Sequence, residues 1–287
     1  MTSVPATGDP FARSWWPRVG LLVLAVYVVY ACAQMDVSPE RVETGLENAG
    51  RFFGRLFPPN FARWELLLKG LGESLQIAVL ASTLGIALAL PLGLMAARNL
   101  MPAWASWPAR AVVVVARSLH PVIVAILFVK AVGFGALAGV LALTVASIGF
   151  IGKLFTEAIE EISLKQVEAV RATGAPFFSV LAYGVLPQVF SRFIGFATYQ
   201  LDSNLRNSTM VGIVGAGGIG GTLFAAFQRF DYDYVCAILI SIIVLIMIGE
   251  VLATAIRAIF IEGASFASLF RRNATVHAPR PLAIADE

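Results

Sequence analysis

The chain contains 287 residues, of which 58% are hydrophobic and only 14% charged, and its formal net charge is +3. A soluble domain carries about 25% charged residues, so this composition excludes an ordinary soluble protein and indicates a multi-pass membrane protein. The sequence has no G-x-x-x-x-G-K-[ST], no Cys/His cluster and no basic run with interleaved aromatics. It therefore predicts no nucleotide P-loop, no metal site and no nucleic-acid partner.

Six apolar runs have the length of membrane helices, since a bilayer-crossing helix needs about 20 mainly apolar residues. They are residues 19–35, 75–97, 111–132, 136–155, 189–214 and 235–256. The expected fold is all-α, with about six transmembrane helices. The first run has a second interpretation, because Arg13 and Arg18 precede it and 31-ACA-33 resembles a signal-peptidase site. We favour a retained transmembrane helix at 19–35.

Residues 36–70, between the first two runs, are predicted to contain an amphipathic helix. Apolar residues recur there at helical spacing: Val42, Leu46, Ala49, Phe52, Phe53 and Leu56. Glu47 and Arg51 are four residues apart and can pair on another face. Such a helix either lies on the outer membrane surface or packs against the membrane helices. The sequence leaves both arrangements open.

Lysine and arginine residues predict the orientation of the chain. With the N-terminus inside, thirteen of them fall in inner segments and seven in outer segments, while Arg206 lies within a membrane run. The positive-inside rule then places both termini in the cytoplasm. We expect a cytoplasmic tail at 1–18, a five-helix core at 71–257 and a second cytoplasmic tail at 258–287.

The inner segment 157–187 joins the fourth and fifth runs and has the composition of a docking surface. Its first half is charged and suits a solvated helix that includes Glu168. Small residues follow, at Ala169, Ala172, Gly174 and Ala175, and Pro176 then introduces a turn. Small side chains let another protein approach closely, so this segment predicts a protein partner on the inner side.

The fifth run carries a polar stripe within 198-TYQLDSNLRNSTMVG-212. Ionisable residues inside a membrane are costly and usually face a pathway or a partner. Asp202 and Arg206 are four residues apart and can pair. Arg206 lies about 20 Å beyond Arg192 along an unbroken helix, which predicts a place in the outer half of the membrane. The stripe forms either a transport pathway or a structural ion pair at a dimer contact.

The stretch 215-GAGGIG-220 matches G-x-G-x-x-G, the dinucleotide-binding fingerprint. The fingerprint requires a preceding strand and an acidic residue about 20 positions further on. A long helical run precedes this stretch, and Asp231 and Asp233 come too early. We therefore reject nucleotide binding and expect these glycines to permit a sharp turn or close helix packing.

Segment 157–187 resembles the cytoplasmic coupling loop of ABC-importer permeases, which follows the pattern E-A-A-x3-G-x9-I-x-L-P. This chain has Glu168-Ala169-Val170, then Gly174, then Leu186-Pro187 at matching spacing, and it departs from the pattern at Val170 and Gly184. Residues 117–143, 149–162 and 202–221 are similar to the permease subunit of phosphonate importers and their phosphite and hypophosphite relatives. The resemblance thus extends over most of the chain.

The resemblance implies a type I ABC-importer permease in the bacterial inner membrane. It implies a homodimer, two separate ATPase subunits that hold ATP and magnesium, and an outer substrate-binding protein, with no cofactor on this chain. The residues implied in ATPase coupling are Glu168, Ala169, Gly174, Ala175, Leu186 and Pro187.

A phosphonate-like substrate is a tetrahedral oxyanion, and the arginine fork suits its oxygens. The predicted pathway residues are Asp202, Asn204, Arg206, Asn207, Ser208 and Thr209. Asp202 would offset the charge of Arg206 and keep the affinity for the anion weak enough for release.

Two other functions compete with the permease. A membrane-embedded enzyme acting on phosphate or lipid esters would need a base, a nucleophile or a metal set, and only Asp202, His120 and Glu250 are available near the membrane runs. A passive anion channel would need no coupling loop. The segment from Glu168 to Pro187 therefore favours a permease that a separate ATPase drives.

Overall fold

The computed structural model describes residues 15–35 and 38–261. The predicted tails 1–18 and 258–287 lie largely outside the described residues. The helices are α1 (Trp16–Gln34), α2 (Pro39–Leu56), α3 (Trp64–Ala96), α4 (Ala103–Ser118), α5 (Pro121–Val132), α6 (Ala136–Glu160), α7 (Leu164–Ala172), α8 (Phe177–Val180), a π-helical turn (Leu181–Val185), α9 (Leu186–Ile213), α10 (Ile219–Gln228) and α11 (Tyr232–Ile261). The described residues contain no strand, so the all-α prediction is confirmed.

The described residues divide into two compact units, with the boundary between Arg55 and Leu56. In the first unit, α1 has the length and hydropathy of a membrane helix and buries none of its residues. Helix α2 has one apolar and one charged face, with Arg51 and Glu47 paired at 3.1 Å. The predicted amphipathic helix is confirmed, and its place on a membrane surface stays a prediction.

Among the described residues, five helical segments are long and apolar enough to cross a membrane: 16–34, 64–96, 136–160, 177–213 and 232–260. The predicted third run, 111–132, is not one straight helix, since α4 and α5 meet at a bend of 94°. Pro121 explains the break, because proline cannot continue the hydrogen bonding of a helix and disfavours helical backbone in the residue before it. His120 is extended there, and its side chain accepts a hydrogen bond from the Val122 backbone N–H.

Helix α6 is the centre of the second unit and contacts α3, α4, α5 and α9. More than half of its 25 residues are buried. The apolar core beside it comprises Ile77, Ala81, Val124, Ala125, Val129, Ala138, Val140, Ala142, Leu143, Val211 and Ala216. Many of these side chains are small, so α3 and α6 approach each other closely, and α9 packs against both.

The glycine-rich stretch forms a tight turn between α9 and α10. Gly215, Gly217 and Gly218 have φ values of 88°, 82° and 83°, a region that side chains rarely adopt. At Gly217 a Cβ atom would lie 2.7 Å from the Ala136 backbone. Helix α9, not a strand, precedes the turn. Both expectations for these glycines, a sharp turn and close packing, are confirmed.

Ion pairs and hydrogen bonds join the start of α3 to the start of α11. Arg63 donates to the Asp231 carboxylate at 3.0 Å, and its guanidinium lies 4.7 Å from the centre of the Tyr234 ring. Asn60 donates to Asp233 at 3.0 Å. These contacts hold the starts of α3 and α11 together, at the end of the second unit opposite segment 157–187.

Candidate functional site

Segment 157–187, which we call the coupling segment, presents most of α7 to solvent. Val167 is the one buried residue of α7 and is 1% exposed. It packs in a cluster with Phe155 and Val189. Glu168 and Ala169, which belong to the coupling pattern, are exposed on the rest of the helix. Val167 and the partly buried Val170 therefore anchor α7, and the face that carries Glu168 and Ala169 stays exposed.

Gly174 ends α7 in a left-handed turn with φ of 77°, which explains why the pattern requires glycine here. A Cβ atom at Gly174 would meet nothing within 4 Å, so the constraint is backbone conformation and not space. Gly174 is exposed, and Ala175 beside it is half-buried. The turn is thus a smooth, accessible part of the coupling segment.

Gly184 departs from the pattern, and the structure gives the reason. It is one of the two buried residues of the π-helical turn before α9. A Cβ atom there would lie 3.3 Å from the Cα atom of Val167. Glycine therefore lets the π-helical turn pack directly on α7. Leu186 and Pro187 follow in the first turn of α9, where both are exposed.

Two side chains in α9 fix the start of the coupling segment. Gln188 accepts a hydrogen bond from the Ser163 backbone N–H at 3.0 Å and donates to the Gly184 carbonyl at 2.6 Å. Arg192 pairs with Glu161 at 2.6 Å. Sequence analysis missed the role of both residues. The position of Gln188 directly after the Leu-Pro pair of the pattern could have singled it out, but its partner Ser163 lies 25 positions away in the chain.

The polar stripe of α9 divides between two faces of the helix. At 100° per residue, Asp202, Arg206 and Thr209 share one face, while Asn204 and Ser208 lie on the opposite face. Asn204 and Ser208 are both 0% exposed, whereas half of the Arg206 side chain (46%) is exposed. The sequence-predicted pathway residues therefore do not converge on a single surface.

Asn204 is the centre of a buried polar network between three helices. Its side-chain NH₂ donates to Ser82 in α3 at 2.9 Å and to Ser147 in α6 at 2.8 Å. Gln200 donates to Ser147 at 2.9 Å and to the Asn204 carbonyl oxygen at 3.0 Å. Ser208 donates to the Leu205 backbone carbonyl at 2.7 Å. The pathway role of Asn204 and Ser208 stays a prediction, since both have packing partners in this conformation.

Asp202 and Arg206 form the predicted ion pair on the opposite face. The Asp202 side chain is 12% exposed, and its Oδ1 atom is buried with no hydrogen-bond partner among the described residues. Asn207 lies nearer to the packed face, about 60° around the helix from Asn204, where it is half-buried and donates to Ser203 at 3.4 Å. Thr209 is also half-buried. The face of the ion pair holds a partly exposed guanidinium beside a carboxylate with one unused acceptor.

The Asp202–Arg206 ion pair lies beside the middle of α3. Asn204 bonds to Ser82, which is about 27 Å along α3 from Trp64 and about 21 Å from Ala96 at 1.5 Å per residue. Arg206 follows Asn204 by only two residues. Arg206 therefore lies beside the middle of α3, and its expected place in the outer half of the membrane stays a prediction.

Two other ionisable residues that the sequence analysis considered, or that lie within the membrane runs, are exposed. Arg117 is exposed near the bend between α4 and α5, and Glu250 is exposed on α11. Within residues 15–35 and 38–261, no group of three or more His, Cys, Asp and Glu side chains is placed to hold a metal ion. The acid and base candidates Asp202, His120 and Glu250 are not joined by any hydrogen bond in the same residues.

The helical bundle, the exposed coupling segment and the buried polar helix define a membrane component of a transport system. Residues 89–262 match the family model of the binding-protein-dependent transport system inner membrane component. The chain belongs to this family. Membership agrees with the coupling pattern at Glu168 to Pro187 and gives no support to the membrane-enzyme alternative.

Relatives with more specific names cover most of the chain. It is 38% identical over 257 residues to the phosphate-import permease protein PhnE of Mycolicibacterium smegmatis, an alignment that covers 88% of this chain and 48% of that protein. The chain thus spans about half the length of this relative. It is 35% identical over 253 residues to the phosphite transport system permease protein PtxC of Stutzerimonas stutzeri, covering 87% of this chain and 92% of that protein.

The fold is also similar to a solved structure of the MetNI methionine ABC transporter in an inward-facing conformation. The TM-score is 0.59 and the sequence identity 26%, with 67% of this chain and 94% of that chain covered. The expected ABC-importer permease fold is confirmed.

Proposed function

We propose that this chain is the membrane-spanning subunit of an ATP-driven importer for a small phosphorus oxyanion. Phosphonate, phosphite and hypophosphite are the cargo class that the sequence predicts, and the name of the mycobacterial relative adds phosphate. The observation that carries the proposal is the direct connection between the exposed coupling segment and α9, the helix that bears Arg206.

The coupling of ATP hydrolysis to transport follows from the rigid connection between the coupling segment and α9. A separate ATPase subunit docks on Glu168, Ala169 and the turn at Gly174, all of which are exposed. Gln188 and Arg192 tie this segment to the first two turns of α9. Since α9 continues unbroken from Leu186 to Ile213, a displacement of the coupling segment moves the whole helix. ATP and magnesium belong to the ATPase subunit.

The exposed face of α9 supplies the chemistry for an oxyanion. The Arg206 guanidinium offers N–H donors in a planar fork that matches tetrahedral oxygens. Asp202 offsets part of its charge, so that the anion is held weakly and released. Thr209 adds a neutral donor on the same face. Asn204 and Ser208 lie on the packed face, where Asn204 keeps α9 in register with α3 and α6.

The assembly needs a second permease copy, because one chain supplies a single coupling segment. We propose a two-fold homodimer with two ATPase subunits on the inner side and an outer substrate-binding protein. Both termini lie in the cytoplasm in this arrangement, as the distribution of Lys and Arg predicts. The alternative is a pair with a second, different permease chain.

Reconstitution tests the function directly. The chain, its ATPase and its binding protein are placed in lipid vesicles, and uptake of labelled phosphite is measured in competition with hypophosphite, methylphosphonate and phosphate. The proposal is supported if labelled phosphite accumulates only with ATP and if at least one of the competing anions inhibits this accumulation. Anion flux without ATP would indicate a channel, and hydrolysis of phosphate esters in the same vesicles would indicate an enzyme.

A further inference from the structure

A pocket of about 370 Å³ lies between the end of α3, the first half of α4 and the last turns of α6. It is separate from the polar face of α9 and adjoins the end of the bundle that carries the coupling segment. Arg98, Arg110 and Lys153 line it, together with Trp107, Val113 and Thr156. We propose that this pocket binds the headgroup of an anionic phospholipid, of the phosphatidylglycerol class.

The three cations of the pocket have two neighbouring carboxylates, so one positive charge is not neutralised and can bind the ligand. Arg110 is held by Glu160 and by the Ala96 carbonyl. Lys153 pairs with Glu157 at 2.6 Å, with both side chains partly exposed. Neither carboxylate belongs to the pocket lining.

Arg98 is the third cation, and its guanidinium forms no ion pair within the described part of the chain. It lies 5.9 Å from the centre of the Trp107 ring, and the backbone N–H of Arg98 donates to Glu160 at 2.9 Å. Three cations against two carboxylates leave one positive charge, which matches the single negative charge of a phosphodiester. An exposed guanidinium beside an aromatic ring can bind that phosphate bidentately.

The surroundings of the pocket favour a lipid over a soluble anion. Trp104 and Trp107 are 79% and 67% exposed, and exposed tryptophans are typical of the membrane–water interface. Next to the pocket, α4 continues as an exposed apolar face through Val112, Val114 and Val115. A lipid would use both parts, with its headgroup at the cations and its acyl chains along the valines. Basic pockets between membrane helices on the cytoplasmic side are known to bind anionic headgroups.

Lipid retention on the purified full-length chain tests this inference without any transport measurement. The protein is exchanged into detergent with defined amounts of phosphatidylglycerol or phosphatidylcholine, and the bound lipid is counted by native mass spectrometry. We expect phosphatidylglycerol to be retained in preference to phosphatidylcholine. The double variant Arg98→Gln/Lys153→Gln should retain about 30-fold less, the ratio expected for two interfacial cations.

Matched variants separate the pocket from general charge effects. Lys130→Gln removes an exposed cation at the far end of α5 and should leave retention unchanged. Trp107→Ala keeps the net charge and should lower retention several-fold. Unchanged retention in the double variant, an equal loss in Lys130→Gln, or equal retention of phosphatidylcholine would overturn the assignment. Displacement of the lipid by millimolar glycerol 3-phosphate would instead indicate a soluble-anion site.

Discussion

The Gln188 side chain accepts a hydrogen bond from the Ser163 backbone N–H at 3.0 Å and so joins the two ends of the coupling segment. The same amide group donates to the Gly184 carbonyl at 2.6 Å and lies 3.4 Å from the Ser163 carbonyl. One side chain therefore holds the start of the segment, its last turn and the first turn of α9 together. These hydrogen bonds connect the coupling segment to the helix that bears Arg206.

The first prediction is that Gln188→Leu uncouples ATP hydrolysis from uptake. The substitution leaves polar backbone groups without their partner, at a cost of about 1–3 kcal/mol, so α9 no longer follows the coupling segment. Vesicles should hydrolyse ATP while uptake falls roughly 10-fold. Gln228→Leu, which replaces an exposed glutamine on the opposite side, is the control and should transport normally. Equal uptake in the two variants would contradict the coupling role.

The second prediction separates the two interpretations of the Asp202–Arg206 pair. Arg206→Gln leaves the nearly buried Asp202 carboxylate without its cation, which should impair assembly. The double variant Asp202→Asn/Arg206→Gln restores neutrality and should assemble. If Arg206 guides the anion, this double variant still transports at least 10-fold more slowly. Uptake is measured over a range of phosphite concentrations. Full recovery of uptake in the double variant would show that the ion pair is only structural.

The third prediction concerns the hydrogen bond between Asn204 and Ser82. Interhelical hydrogen bonds in membrane bundles contribute about 0.6 kcal/mol on average and up to about 1.7 kcal/mol. Because Asn204 also bonds to Ser147, Asn204→Ala should destabilise the protein more than Ser82→Ala. A double-mutant cycle followed by unfolding in mixed micelles should give a coupling energy within that range. Strict additivity of the two changes would mean that the contact contributes no stability.

The fourth prediction uses the left-handed turn at Gly174. Gly174→Asn preserves this backbone conformation and should retain most uptake, whereas Gly174→Ala strains it by about 1–2 kcal/mol. Gly174→Trp adds bulk to an exposed surface and should abolish ATPase docking, measured by co-purification of the ATPase subunit. Normal co-purification and uptake with tryptophan at this position would place the docking surface elsewhere.

The fifth prediction is the stoichiometry of the complex. Two copies of this chain should purify with two ATPase subunits, because each permease copy presents one coupling segment. Mass measurement of the intact complex in detergent checks the count. A complex with one copy of this chain, one different permease chain and two ATPase subunits would replace the homodimer with a heterodimer.

The sequence by itself determined the fold class, the approximate membrane runs and the family. These features rest on local properties: apolar length, the spacing of the coupling pattern and the four-residue separation of Asp202 and Arg206. The same local reasoning rejected the nucleotide fingerprint at Gly215 to Gly220, since a long helical run and not a strand precedes it. The tight turn at these glycines also follows from the sequence, because glycine permits backbone angles that other residues avoid.

Only the tertiary structure decided how the polar residues of α9 divide. Helical periodicity predicts which residues share a face, but it does not tell which face packs against α3 and α6. That choice depends on Ser82 and Ser147, which lie 122 and 57 positions from Asn204 in the chain. The anchoring by Gln188, which bonds to Ser163 25 positions away in the chain, was likewise decided by packing. Each of these features rests on contacts between distant segments, and a sequence pattern records only neighbours along the chain.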